Sequence, residues 1–219
     1  MVDQEQFNNY DLLHIINLAD REKQLEELKN MIKNNKMLTQ LFPDAKNLVF
    51  GSGNKKAKVM FIGEAPGKNE DESGEPFVGS SGKILNELLD KISFKRQDVY
   101  ITNIVKYRPL NNRDPSLQEK MIFLPYLICQ ILIIKPKLLV TLGRHSFSSL
   151  VPDKLMKDFR GIILQIDLVK LNIKSLDLSS FNTVFNLLPI YHPAATIYNQ
   201  TLKKDLLVDF LKIPNLISL

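Results

Sequence analysis

The stretch Lys58-Val59-Met60-Phe61-Ile62-Gly63-Glu64-Ala65-Pro66-Gly67 sets an unbroken apolar run against a turn bracketed by glycine and proline. An apolar run of this length suits a strand buried on both faces, because a half-exposed strand would alternate polar and apolar residues. Three more runs of the same kind follow, Val99 to Ile104, Leu138 to Leu142 and Leu187 to Tyr191. Helical patterns separate them. Ile84, Leu85, Leu88, Leu89 and Ile92 form one stripe behind the capping candidates Ser80 and Ser81. Ser116 with Glu119 three residues later reads as a capping box opening a second helix, in which Pro125 predicts a kink. A third helix follows Gly143, and Leu206, Leu207, Phe210 and Leu211 mark a last one from Lys203 to Leu211. Buried strands alternating with helices predict the α/β class: a three-layer α/β/α sandwich around a central, mainly parallel four-stranded sheet.

Working outward, Asp20 to Asn35 carries Leu25, Leu28, Met31 and Ile32 at helical spacing, and the chain loosens at Pro43-Asp44. Residues 1–219 thus read as one domain with a helical extension over about 1–45. Residues 162–185 alternate Ile, Leu and Val with Asp, Lys and Asn and fit either a hairpin or an irregular excursion. The composition, 44% hydrophobic and 24% charged over 219 residues, is that of a globular chain and excludes disordered and collagenous classes. A net charge of +5 permits polyanion binding without requiring it. The single cysteine, Cys129, can form no internal disulfide and no thiolate cluster by itself. The acidic start, Met1-Val2-Asp3-Gln4-Glu5, has no signal-like order, and Met121 to Ile134, interrupted by Pro125 and Gln130, is shorter than a bilayer span. These features predict an intracellular protein with no membrane partner.

Ligands of open parallel sheets bind beyond the carboxyl ends of the strands. The four strand ends are Gly63 to Gly67, Thr102-Asn103, Gly143-Arg144-His145, and His192-Pro193-Ala194-Ala195. A carboxylate (Glu64), a carboxamide (Asn103) and an imidazole (His192) therefore converge on one rim. Singly, each has a plainer reading: Gly63 to Gly67 as a tight turn, Asn103 as a turn former, His192 as a structural histidine.

Jointly they carry more. Gly63-Glu64-Ala65-Pro66-Gly67-Lys68-Asn69-Glu70-Asp71, Gly74-Glu75-Pro76-Phe77-Val78-Gly79, Thr102-Asn103-Ile104-Val105-Lys106-Tyr107-Arg108-Pro109 and Tyr191-His192-Pro193-Ala194-Ala195 resemble, in order, the uracil-DNA glycosylase superfamily, nearest its thermophile-type family four. The resemblance runs from about Leu25 to Leu211. It implies hydrolysis of the N-glycosidic bond of uracil in DNA, with the nucleotide flipped into a pocket. Phe77 would stack on the base, Asn103 read its N3–H and O4, and His192 donate to O2 as negative charge develops there. Gly63 and the main-chain amides of Glu64 and Ala65 would line the base. Glu64 would orient the water, balance the sugar cation, or merely hold the turn.

Lys106, Arg108 and Arg113 are candidate phosphate contacts, as are Lys55, Lys56, Lys58, Lys68, Lys203 and Lys204, and Ile197-Tyr198 is a candidate wedge for the gap left by the flipped base. The expected partner is uracil-containing DNA, single- or double-stranded, bound by a monomer; no metal ion or other cofactor is expected. Family four typically holds a four-iron, four-sulfur cluster on four cysteines, whose positions here are Lys36, Thr39, Tyr107 and Phe123. None supplies a thiolate, and Tyr107 and Phe123 are expected to fill that space by packing. Two competing readings are a noncatalytic DNA-binding or accessory protein on the same fold, and a small-molecule enzyme cradling phosphate in Gly63 to Gly67. The latter lacks the Lys-Ser/Thr ending of a nucleotide loop.

Overall fold

A computed structural model describes residues 9–173, 176–197 and 199–218. Its helices are α1 (Asn9–Asn17), α2 (Arg21–Asn34), α3 (Lys36–Leu41), α4 (Lys68–Ser73), α5 (Ser80–Lys91), α6 (Leu117–Ile134), α7 (Arg144–Leu150), α8 (Met156–Phe159), α9 (Gln200–Phe210) and α10 (Ile213–Ser218). The strands are β1 (Ser52–Gly53), β2 (Val59–Gly63), β3 (Tyr100–Asn103), β4 (Leu138–Leu142), β5 (Leu164–Asp167) and β6 (Val184–Ile190). They form one sheet in the order β1-β3-β2-β4-β6-β5. The four runs expected from the sequence are its parallel centre, β3-β2-β4-β6.

The sheet is larger than the predicted four strands, because an antiparallel strand is added at each edge. β1 is two residues long, below what periodicity can register. β5 comes from the ambiguous 162–185 segment and pairs Leu164 with Leu187 and Asp167 with Val184, which makes that segment's first part an antiparallel partner of β6.

Every residue of β2, β3 and β4 is buried, as parallel strands covered on both faces must be. Alternation along β2 divides the core. Met60 and Ile62 pack with Leu12, Leu28, Ile32 and the apolar residues of α6, whereas Val59 and Phe61 pack with Leu85, Leu89, Leu206 and Phe210 from α5 and α9. Phe61 and Phe210 stack with centroids 5.6 Å apart. The N-terminal helices are therefore part of one face's core.

Local signals account for several helix starts. Asp20 accepts a hydrogen bond from the amide of Glu22, and Ser116 and Glu119 exchange reciprocal capping bonds of 3.1 and 2.7 Å. Ser80 and Ser81 do not cap α5: the N-cap is Gly79, and both serines sit in the first turn. α6 continues through Pro125 as one helix. It is long and apolar enough to cross a bilayer, but Phe123 and Pro125 to Ile134 are buried within the protein, the environment of a core helix.

Candidate active site

The strand register brings the first two site residues together. Gly63 closes β2 directly beside Asn103, the last residue of β3. The following turn is stitched to its neighbour by Ile104 N–H to Gly63 O and Val105 N–H to Glu64 O, both 3.0 Å. Gly63 is required by space: a Cβ there would lie 2.3 Å from Asn103 Oδ1 and 2.6 Å from Phe77 Cζ. The carboxamide and the aromatic ring thus flank one point above the turn. Phe77 in turn faces His192, with ring centroids 5.7 Å apart.

Phe77 holds this place in a left-handed backbone conformation (φ 53°), which costs a non-glycine residue about 1–2 kcal/mol. Its surroundings enforce it. The Glu70 carboxylate accepts from the amides of Gly67 (3.1 Å), Val78 (2.9 Å) and Gly79 (2.8 Å), tying the first turn to the Phe77 loop. Arg96 donates to the carbonyls of Pro76 and Phe77.

Asn103 is buried, and its Oδ1 has no hydrogen-bond partner. An unpaired buried acceptor costs about 1–3 kcal/mol, and this oxygen is free to accept from an N–H. His192 is the N-cap of a short 3₁₀ turn, where its Nδ1 accepts from the amide of Ala194 at 3.2 Å. The ring proton therefore resides on Nε2. Burial pushes the imidazole pKa down to about 4, opposed by the charge of Glu70 and reinforced by His145, so the ring is a neutral donor at neutral pH. Gly143, at φ 91°, lies against it: a Cβ there would be 3.0 Å from His192 Cβ.

Glu64 is part-buried and shares a depression with His192, Tyr191, Gly143, Arg144, His145 and Asp114. Desolvation first, then the charge of Asp114, raises its carboxyl to about pH 7 against the pull of Lys120 and Arg144. His145 and Asp114 have no role in the sequence reading, although the strand-end rule already puts His145 on this rim. A second depression, lined by Lys135, Gln165 and Asn186, lies at the opposite ends of the strands and gathers no such chemistry.

The phosphate candidates fare differently. Lys106 is fully buried and cannot meet DNA: its ammonium donates to Thr102 Oγ1 (2.6 Å), Asn103 O (2.6 Å) and Gln130 Oε1 (2.5 Å), bracing the end of β3. All three donors are used, while burial lowers its pKa. Arg113 directs its fork to Glu119 at 2.6 and 2.8 Å at the start of α6 and remains exposed. Arg108 is half-buried with its Nε on Asn112 Oδ1. Ile197 is 39% exposed, Ala65 is half-buried, and Tyr198 lies outside the described residues.

At the positions aligned with the cluster cysteines, Lys36 and Thr39 are exposed on α3, whereas Tyr107 and Phe123 are buried. Phe42 sits 5.9 Å from each ring, and Tyr107 and Phe123 are 6.2 Å apart edge to face. Cys129 is buried in α6, where desolvation raises its thiol. These residues offer no thiolate set, and the three rings occupy the space with carbon; they do not fit an iron–sulfur cluster.

Residues 50–212 match the family described as Uracil DNA glycosylase superfamily. A protein of Saccharolobus solfataricus described as a Type-4 uracil-DNA glycosylase is 44% identical over 181 residues, covering 82% of this chain and 80% of that one. Proteins of the same description from Sulfurisphaera tokodaii (46% identity, 78% and 74% covered) and Archaeoglobus fulgidus (40%, 78% and 82%) are similar over 171 residues each.

Proposed function

The chain belongs to the uracil-DNA glycosylase superfamily, and from that premise we propose how its own residues act. It is a DNA-repair hydrolase that releases uracil from DNA and leaves an abasic site. The orphaned Oδ1 of Asn103 is the observation that carries the base assignment. Uracil presents N3–H to that acceptor and O4 to the amide Nδ2–H₂, whereas cytosine presents the inverse pair and opposes acceptor to acceptor. Phe77 stacks on the base. The amides of Glu64 and Ala65 add donors beside Gly63.

Cleavage of the C1′–N1 bond leaves negative charge on the ring and oxocarbenium character on the sugar. His192 donates from Nε2 to O2, where that charge gathers, and being neutral it acquires no proton beforehand. Glu64, with a pKa near neutrality, takes the proton of the attacking water.

Ile197 with Tyr198 forms the wedge, and Arg108, Arg113 and the exposed Arg144 on the pocket rim contact phosphate, with Lys106 engaged inside the protein. The whole chain acts as a single domain with its helical extension, as a monomer, wherever cellular DNA is. Single- and double-stranded uracil oligonucleotides, incubated with the protein and then treated with alkali, are expected to break at uracil. Absence of breaks on both would refute the enzyme reading.

We read the chain as a type-4 relative whose cluster positions are filled by packing. Phe123→Ala is expected to cost ~3–5 kcal/mol, lowering Tm by on the order of 10 °C. A chelator should leave the wild-type melting curve in place, and purified protein should show no thiolate–iron absorbance near ~400 nm. A Tm that falls on chelation would contradict this.

A further inference from the structure

His145 lies in the first turn of α7, beyond β4, at the rim that also carries Glu64 and His192. Its Nδ1 is 3.0 Å from Lys120 Nζ. An ammonium only donates, which favours Nδ1 as the acceptor and the ring proton on Nε2. That nitrogen faces two carboxylates, Asp114 Oδ2 at 3.1 Å and Glu64 Oε1 at 3.5 Å. Glu64 Oε1 is buried and has no hydrogen-bond partner, so the 3.5 Å approach is an ion-pair separation that a small shift would close to a hydrogen bond. Arg144 Nε also approaches Nε2, at 3.0 Å, while its Nη2 donates to Asp114 Oδ2 at 3.4 Å; placing the ring proton on Nε2 is therefore part of the proposal, favoured by the two carboxylates on that side and the ammonium on the other.

We propose that His145 is a positioning residue for the hydrolytic step: clamped by Lys120 and Asp114, it presents Nε2–H to Glu64 and holds that carboxylate ready to receive the proton of the attacking water. The inference rests on the role given to Glu64 above. As the C1′–N1 bond breaks, its electron pair leaves with uracil. The water oxygen bonds to C1′, and one water proton goes to Glu64. Glu64 then returns that proton to solvent while the uracil anion takes one up, so the sum is uracil plus an abasic sugar hydroxyl.

The groups facing the pair are Asp114 from the segment leading into α6, Lys120 within α6, Arg144 and His145 from α7, His192 after β6, and Lys157, which lines the same depression. Burial and the neighbouring Lys120 lower the His145 pKa, and the hydrogen bond it offers favours the charged form of Glu64. Removing the donor leaves Asp114 opposing that charge with less compensation. Glu64 must then titrate at higher pH, and activity that needs the carboxylate is lost on the acid side.

The test is kcat/KM of the full chain on a uracil-containing single strand from pH ~5 to ~9, for wild type, Glu64→Gln, His145→Leu, His145→Gln and Lys120→Met. Wild type should show an acid limb near pH ~7 that Glu64→Gln abolishes. His145→Leu should move the limb upward by about one unit, a ~10-fold loss at pH ~6 that shrinks as the pH rises. His145→Gln, which keeps an N–H donor, should hold the limb near its wild-type position. Lys120→Met removes a positive charge that lowers the Glu64 pKa directly, so it should shift the limb upward whatever His145 does and checks the Glu64 assignment; His145→Phe serves if His145→Leu does not fold. A purely structural role would lower the whole profile without moving its limb. A limb present in wild type, absent in Glu64→Gln and unmoved in His145→Leu overturns the positioning role alone. A wild-type profile without any limb, or one that survives in Glu64→Gln, overturns the Glu64 reading beneath it, and with it this inference.

Discussion

His192→Ala is expected to lower kcat on a uracil-containing strand by ~10²–10³-fold while leaving KM within a few-fold. The split follows from when the hydrogen bond matters. In the ground state O2 is an ordinary carbonyl, well served by water. As C1′–N1 stretches, O2 collects charge in a site closed by Phe77 and the 63–67 turn, where a fixed donor is worth most. The Ala194 amide on Nδ1 fixes the tautomer, so the donor is aligned before substrate arrives. With its pKa near 4, His192 contributes no limb to the rate profile between pH ~5 and ~8. Single-turnover rates read the chemical step directly; a variant that loses affinity but keeps its single-turnover rate would remove His192 from the transition state.

Asn103→Ala should reduce kcat/KM for uracil by on the order of 10², the loss of two hydrogen bonds in a dry site. The stability of the free protein should move the other way or hold. Wild type buries an acceptor with no partner, and removing it lifts a desolvation cost that offsets the small void left behind. Thermal unfolding in the absence of DNA measures this. A Tm several degrees below wild type would mean that the amide is a structural element of β3 and not a group reserved for the base.

Much of the site was legible because chain order and strand-end position are sequence properties. Gly63, Asn103 and His192 each close or follow a buried apolar run, and the rule that such ends share a rim needs no coordinates. Exposure is different. Lys106 and Arg108 stand two residues apart in one motif, yet the first is wholly buried and the second only half so. The β3 end turns Lys106 inward onto Thr102, Gln130 and a main-chain carbonyl, partners on separate elements. Arg113 stays exposed while pairing with Glu119, a pairing hidden because Glu119 already had a local reading as a capping residue. His145 and Asp114, thirty-one positions apart, acquire meaning only when α7 and the entry to α6 meet over the first turn.

The sequence alone determined the layered α/β class, the four central strands and the three-point constellation, since these follow from hydrophobic periodicity and from where runs stop. Only the tertiary structure decided the antiparallel edge strands, the inward turn of Lys106, the ring cluster of Phe42, Tyr107 and Phe123, and the tautomer of His192. The physical reason is that burial and hydrogen-bond direction belong to pairs of groups brought together in space, and no single stretch of chain contains both members.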